Sequence, residues 1–320
     1  MVASTGARGA MGRWLEPHGV VVPEVVTETG ITYLTRFYRL LPGCSLPGGV
    51  LQTASRRAGL SYSCVEADNG TFSITIAVES SDGELRRHLL RSGPFEAVCR
   101  LLPGIDTLTD QDTAVPMTDV AGMGGLVNRL RRFVDADGRP LMTGLHALGD
   151  AHTTTNPLYG RGCSLAMVQA ILLRDAFVDH PSDPMARTLA YEAATAREIE
   201  PWYHFAVDGD ALRSEEQIDP LDPRFTLFDL LHAGNAEPSL LPKTLRALTL
   251  LDTPDVVAAD PRFVETLATL RRARAAKVEA RKASGHRPSI QRADLLLAGR
   301  GLAAGVGPAS SHRSWRSPGR

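Results

Sequence analysis

The residues whose types and order suit chemistry lie together between 149 and 164. They are Gly149-Asp150-Ala151, a polar turn Thr153-Thr154-Thr155-Asn156-Pro157, and then Gly160-Arg161-Gly162-Cys163-Ser164. A carboxylate at the carboxyl end of a strand stands where open α/β sheets present their ligand crevice. Glycines just ahead of a helix lack β-carbons, so a ligand can approach the free amides of the helix start. That end of a helix carries roughly half a positive charge and favours an anion. His146 and His152 flank Asp150, and either suits acid–base work near neutral pH. His146 sits inside an apolar segment and is expected in the core, whereas His152 follows the carboxylate in the turn and is the more open candidate. Cys163 is placed where a helix N-terminus lowers a thiol pKa, although packing is the commoner role for one cysteine among four. No residue is assigned as a catalytic acid or base, and none as a metal ligand.

Elements must hold these groups in place. Leu141 to Leu148 is mostly apolar without clean alternation, as expected of a strand covered on both faces. Pro157 has no amide hydrogen and restricts Asn156, so the chain must turn there. From Ser164 the spacing of Leu165, Val168, Leu172 and Leu173 predicts a helix.

The ordered set Gly149-Asp150-Ala151, Pro157, Gly160, Gly162, Ala166, Ala170 resembles the second FAD-binding motif of the para-hydroxybenzoate-hydroxylase-like flavoproteins. That superfamily includes aromatic hydroxylases, geranylgeranyl reductases and flavin-dependent halogenases. The resemblance implies that Asp150 bonds ribityl or ribose hydroxyls of FAD, for which a carboxylate is a good acceptor. It also implies that Gly149, Ala151, Pro157, Gly160, Arg161, Gly162, Cys163 and Ser164 surround the flavin, the helix start facing its pyrimidine edge. The halogenase signature W-x-W-x-I-P is absent, since Trp14, Trp202 and Trp315 stand far apart.

The superfamily's other half-site, a G-x-G-x-x-G after a strand, is not found upstream of residue 149. Gly122-Met123-Gly124-Gly125 does not open a helix and lacks an acidic residue about 20 positions on. Ala3-Ser4-Thr5-Gly6-Ala7-Arg8-Gly9 with Trp14-Leu15 resembles a late strand and turn of the same domain, although Ala3 replaces the expected Asp. The expectation is therefore a mixed α/β (α+β) chain with five parts. Residues 1–15 are the last strand and turn of an incomplete, Rossmann-like FAD domain. Residues 16–140 form an antiparallel-sheet substrate domain, and 141–180 the FAD-motif strand, turn and helix. Residues 181–283 are a helical C-terminal region, and 284–320 a largely disordered tail.

Within 16–140, Ile31–Leu40, Leu60–Glu66 and Thr71–Glu79 read as strands, the last two joined across Asp68-Asn69-Gly70. The resemblance implies that one face of the first strand, Thr32/Leu34/Arg36/Tyr38 or Tyr33/Thr35/Phe37/Arg39, lines a substrate cavity. Periodicity leaves both faces open, and Arg36 and Arg39 are more commonly solvated than ligand-binding. Asp82 caps a helix over 84–102 that Gly93-Pro94 should break or kink. Leu126 to Val134 returns through Asp135–Gly138 as a hairpin. Arg129, Arg131 and Arg132 invite a phosphate or nicotinamide-cofactor reading, with a solvated strand face as the plainer alternative. Helices follow over 164–179, 184–199, 223–251 and 255–283; Trp202, Tyr203 and Phe205 cluster in between, and Arg271, Arg272, Arg274, Lys277, Arg281 and Lys282 form a basic, solvated face.

Composition bounds the rest. The chain has 320 residues, 43% hydrophobic and 22% charged, with net charge −1. No global field recommends nucleic acid as a partner. There is no 18-residue apolar run, so no membrane span and a cytoplasmic location are expected. Cys44, Cys64, Cys99 and Cys163 show no C-x-x-C spacing, so neither a zinc site nor a disulfide framework is expected. Two functions then compete. One is an FAD-dependent oxidoreductase, monooxygenase- or reductase-like, using a small apolar or aromatic substrate and NAD(P)H as donor. The other is an N-terminally truncated, inactive remnant or subunit that cannot hold FAD alone.

Overall fold

Alternation along Ile31–Leu40 becomes the central strand of an antiparallel sheet. The computed structural model describes residues 1–9, 11–46, 51–53, 60–214, 218–283 and 290–299. It divides into two compact units, one of residues 1–30 with 125–287 and one of residues 31–124 with 288–320.

In the second unit the strands run Leu51–Thr53, Leu60–Ala67, Thr71–Glu79, Ile31–Leu40 and Ala114–Pro116, with Ala121–Met123 also paired to Ile31–Leu40. Every pairing is antiparallel, and the central one keeps register from Ile31↔Glu79 to Arg39↔Thr71. The turn between Leu60–Ala67 and Thr71–Glu79 closes as expected, with the Thr71 amide donating to the Asp68 carbonyl at 3.2 Å.

One face of the sheet carries the larger core. Leu34, Tyr38, Tyr62, Phe72, Ile74 and Ile76 pack with Leu85, Leu89, Phe95 and Val98 in one core, and Tyr38 stacks on Phe72 with ring centroids 5.3 Å apart. Both parities are buried at the start of Ile31–Leu40, where Ile31 and Tyr33 are covered too. Leu34 and Tyr38 point into the core, while on the other face Phe37 is 46% exposed and the Thr35 hydroxyl meets that of Thr75 at 2.9 Å. Arg36 corrects the expectation of a solvated arginine. It lies on the core side, donating from Nη1 to Glu96 Oε1 at 2.6 Å and from Nε to the Thr118 carbonyl at 2.7 Å, because a buried guanidinium needs both charge and hydrogen-bond partners.

The helix expected over 84–102 is two helices, Gly83–Leu89 and Ser92–Cys99. Asp82 caps the first by accepting from the Leu85 amide at 3.0 Å. Pro94 falls in the first turn of the second, where its missing amide hydrogen costs nothing. In the C-terminal stretch, Arg292–Leu297 is a helix. Its Leu295 and Leu296 join the sheet's core, and Arg292 donates to Asp82 at 2.6 Å and Glu84 at 3.0 Å. The rest of the expected tail, 284–289 and 300–320, lies outside the described residues, as do Pro47-Gly48-Gly49, Trp315 and the side chains of Arg281 and Lys282.

The first unit carries the motif. Val2–Ala3 pairs in parallel with His146–Ala147, Val2 opposite His146 and Ala3 opposite Ala147. The strand expected over 141–148 is thus only two residues long. Met142 is partly exposed, Thr143 and Gly144 are exposed, and the Met1 and Ala3 carbonyls accept the His146 and Leu148 amides at 3.0 and 2.9 Å. A second, antiparallel sheet runs Thr153–Thr154, Val127–Arg131, Glu24–Glu28. The hairpin-like return expected after residue 134 closes at a bridge between Val134 and Pro140, the Asp135 amide donating to the Arg139 carbonyl at 2.8 Å and the Leu141 amide to the Phe133 carbonyl at 2.9 Å. Helices Gly162–Asp179, Pro184–Glu198, Glu200–Ser214, Leu227–Ala236, Leu241–Leu248, Pro254–Ala258 and Pro261–Ala283 complete the unit. Trp202 and Phe205 belong to its core. Arg271 departs from the solvated basic face. It is buried, reaching the Asp222 and Arg224 carbonyls at 2.7 and 2.6 Å. Among the described residues no helix is long and apolar enough to cross a membrane.

The sheet's asymmetry is testable. Phe72→Ala should destabilise the chain by about 3–5 kcal/mol, and Phe37→Ala by less than about 1 kcal/mol, in urea unfolding followed by circular dichroism.

Candidate functional site

Gly149 is fixed from two directions. Its φ of +60° is a backbone conformation that side chains resist, and a β-carbon there would stand 3.3 Å from that of Ala166 on the following helix. Its amide donates to Gln169 Oε1 at 2.7 Å. The turn over Gly149–Ala151 is therefore pressed onto the helix Gly162–Asp179 at Ala166 and bonded to it one turn further along, at Gln169. On the other side Arg131 donates from Nη1 to the Ala151 carbonyl at 2.9 Å, while its Nε bonds Glu24 at 3.0 Å. Thr153 and Thr154 then pair with Leu130 and Arg129.

Asp150 is the free end of this turn. It is exposed, and among the described residues no donor hydrogen-bonds its carboxylate. Although the residue is open to solvent, the protein around it partly desolvates its carboxyl and holds it above the ordinary value. Its Oδ1 lies 4.0 Å from where a β-carbon on Gly162 would be, so it stands beside the helix start. That start has no side-chain cap, and Gly162, Cys163 and Ser164 are exposed. Asn156–Gly160 forms the approach. The Asn156 Oδ1 accepts the Leu158 amide at 3.0 Å, and Gly160 takes φ +64° to close the turn, its amide donating to the Pro157 carbonyl at 3.0 Å.

Arg161 turns inward. Its guanidinium lies 4.4 Å from the Trp202 ring centroid and 4.9 Å from that of Phe205, and burial draws its pKa down to about 10. Its backbone meets the helix start; its charge rests on aromatic faces.

The two histidines do not join the site. His146 is buried against Phe177 and Tyr191. His152 is 1% exposed, its Nδ1 paired with the Thr153 hydroxyl at 2.7 Å, and burial with Arg131 and Arg132 nearby lowers its pKa to about 4. The loop position that recommended His152 in the sequence is covered by Phe133 and Tyr191. The arginines of 129–132 are likewise engaged: Arg129 donates to the Ala7 carbonyl at 2.7 Å, and Arg132 pairs with Glu200 at 2.5 Å.

Sequence reasoning missed Gln169, Asn128, Asp210 and Arg213, all of which hold the motif. Of these, Gln169 lies in the flagged motif helix between Ala166 and Ala170, and Asn128 directly precedes the flagged Arg129.

The arrangement offers an unpartnered carboxylate beside uncapped amides, with glycine rather than a side chain at the approach. The comparisons with known proteins agree in fold. No family model matches the chain. A curated relative, Protein Rv3254 of Mycobacterium tuberculosis (strain ATCC 25618 / H37Rv), is 27% identical over 271 residues, covering 82% of this chain and 56% of that protein. Among solved structures, the flavin-dependent brominase Bmp2 superposes with TM-score 0.52 and 15% identity, over 87% of this chain and 63% of its own. Klebsiella pneumoniae HpxO, solved with FAD and uric acid, gives TM-score 0.44 and 16% identity over 83% and 59%. The superposition on Bmp2 is a likeness of fold. The chain spans about half the length of the curated relative it matches.

Two titratable groups give opposite pH dependence. Burial raises Glu192 from 4.5 to about 7, so the stability that its neutral form contributes is complete below about 4.5 and lost as pH rises to about 7. His152 falls from 6.5 to about 4, so stability present above about 6.5 is lost as pH drops towards 4. Urea unfolding against pH should show Glu192→Gln gaining on the wild type between pH 4.5 and 7. His152→Gln should gain on it between pH 6.5 and 4.

Proposed function

We propose that the chain is an FAD-dependent oxidoreductase, monooxygenase- or reductase-like, in which residues 149–164 form one side of the flavin site. The observation that carries this reading is the Asp150 carboxylate, left without a donor beside the uncapped start of Gly162–Asp179. A carboxylate so placed accepts hydrogen bonds from sugar hydroxyls, and the adjacent amides favour negative charge on a ring edge. Gly149, Ala151, Pro157, Gly160 and Gly162 shape the backbone that FAD would lie along, with Cys163 and Ser164 contributing amides. FAD supplies the redox chemistry when bound; the chain's part is binding, orientation and local charge. Its substrate is a small apolar or aromatic molecule and its electron donor NAD(P)H, supported only by the motif's resemblance.

A second reading, a chain that holds FAD only together with further polypeptide, has its own support. The parallel sheet has two strands of two residues each, whereas parallel sheets are ordinarily larger and covered. Met167 and Val178 of the motif helix are each 69% exposed, and Ile171 50%, an apolar stripe at helical spacing.

Titration with FAD, read by flavin absorption and fluorescence, separates the two. The first reading expects saturable binding, weakened at least about tenfold by Asp150→Ala. No binding by the folded wild-type chain would leave the second.

A further inference from the structure

We propose that Asp210, far from the motif in sequence, is a positioning residue that sets the turn 156–162 before any ligand arrives. What the turn holds rests on the FAD reading above; how it is held rests on contacts alone.

Asp210 is 7% exposed on the helix Glu200–Ser214. Its Oδ2 accepts from Asn128 Nδ2 at 2.8 Å, and its Oδ1 accepts from Asn156 Nδ2 and from Arg213 Nη1, both at 2.7 Å. The Tyr159 hydroxyl donates to the same Oδ1 at 3.4 Å. Asn128, fully buried, closes the circuit by accepting the Asn156 backbone amide on its Oδ1 at 2.7 Å. Asn156 is thus held at both amide and side chain, and its own Oδ1 holds Leu158. Arg213 neutralises the carboxylate and passes on to the Thr29 carbonyl.

Each bond has a fixed direction, since Asp210 can only accept here and its partners donate. A buried carboxylate meeting charged and amide donors makes stronger bonds than neutral pairs do. The neighbouring position agrees. A β-carbon on Gly209 would lie 2.3 Å from the Tyr159 hydroxyl, so the Tyr159 ring is seated directly on this helix. The turn carrying Pro157 and Gly160 is therefore moored to the Glu200–Ser214 helix through one carboxylate.

The test uses the full chain without ligand and reads amide hydrogen exchange residue by residue. In Asp210→Asn, exchange at Leu158 and Gly160 should accelerate at least about tenfold relative to amides of Pro261–Ala283. The double variant Asn156→Asp with Asp210→Asn moves the carboxylate across the pair while keeping the charge. It should restore protection to within about threefold. Unchanged exchange in Asp210→Asn overturns the proposal, as does uniform loosening of all the helices or failure of the exchanged pair to restore the turn. FAD titration of the same variants separates the two claims. Absence of wild-type binding would sink the flavin reading, while the exchange data would still decide the role of Asp210.

Discussion

The contact between Gly149 and Ala166 is the constraint from which the site's geometry follows. A strand end and a helix can approach this closely only where one partner has no β-carbon, and the positive φ at Gly149 turns the chain so that Asp150 projects while Ala151 is buried. Polar anchors then fix the turn from both sides. Gln169 takes the Gly149 amide from the helix, and Arg131 holds the Ala151 carbonyl from the strand Val127–Arg131. Because both polar groups flanking Asp150 are satisfied within the protein, its carboxylate is left as the exposed acceptor. The approach turn is fixed in the same manner by Asn128, Asn156 and Asp210, so the motif is assembled from rigid neighbours rather than from a free loop.

This arrangement separates holding from presenting. The charges near the motif that look chemically promising are spent on structure. Arg129 and Arg131 tie carbonyls, Arg132 pairs with Glu200, Arg161 lies on aromatic rings, and His152 is sealed beneath Phe133. What remains presented is a carboxylate, a row of backbone amides and the thiol of Cys163. Such a surface suits binding and orienting a ligand better than reacting with it, in keeping with the proposal that a bound cofactor carries the chemistry.

Much of this was legible in the sequence. Alternation and turn residues located Leu60–Ala67 and Thr71–Glu79 almost to the residue, because hairpins are specified locally. The order Gly149-Asp150-Ala151, Pro157, Gly160, Gly162 located the turns and the helix start, since each residue type answers a backbone demand within a few positions. Tertiary facts were not legible. The strand His146–Ala147 takes as its partner Val2–Ala3, at the far end of the sequence before it. Arg36, Arg271 and His152 are buried by partners that periodicity does not reveal, and Asp210 reaches Asn128 across 82 positions. Arg292–Leu297 docks on the sheet unit through an ion pair with Asp82, 210 positions earlier.

The central claim is that the Asp150 turn and the start of Gly162–Asp179 face a flavin. Backbone amide shifts recorded during FAD addition test it most directly. The account predicts saturable perturbations concentrated at Asp150, Ala151 and Gly160 to Ser164, with the amides of Leu60–Ala67 unmoved. Saturable binding whose perturbations spare residues 149–164 would contradict it.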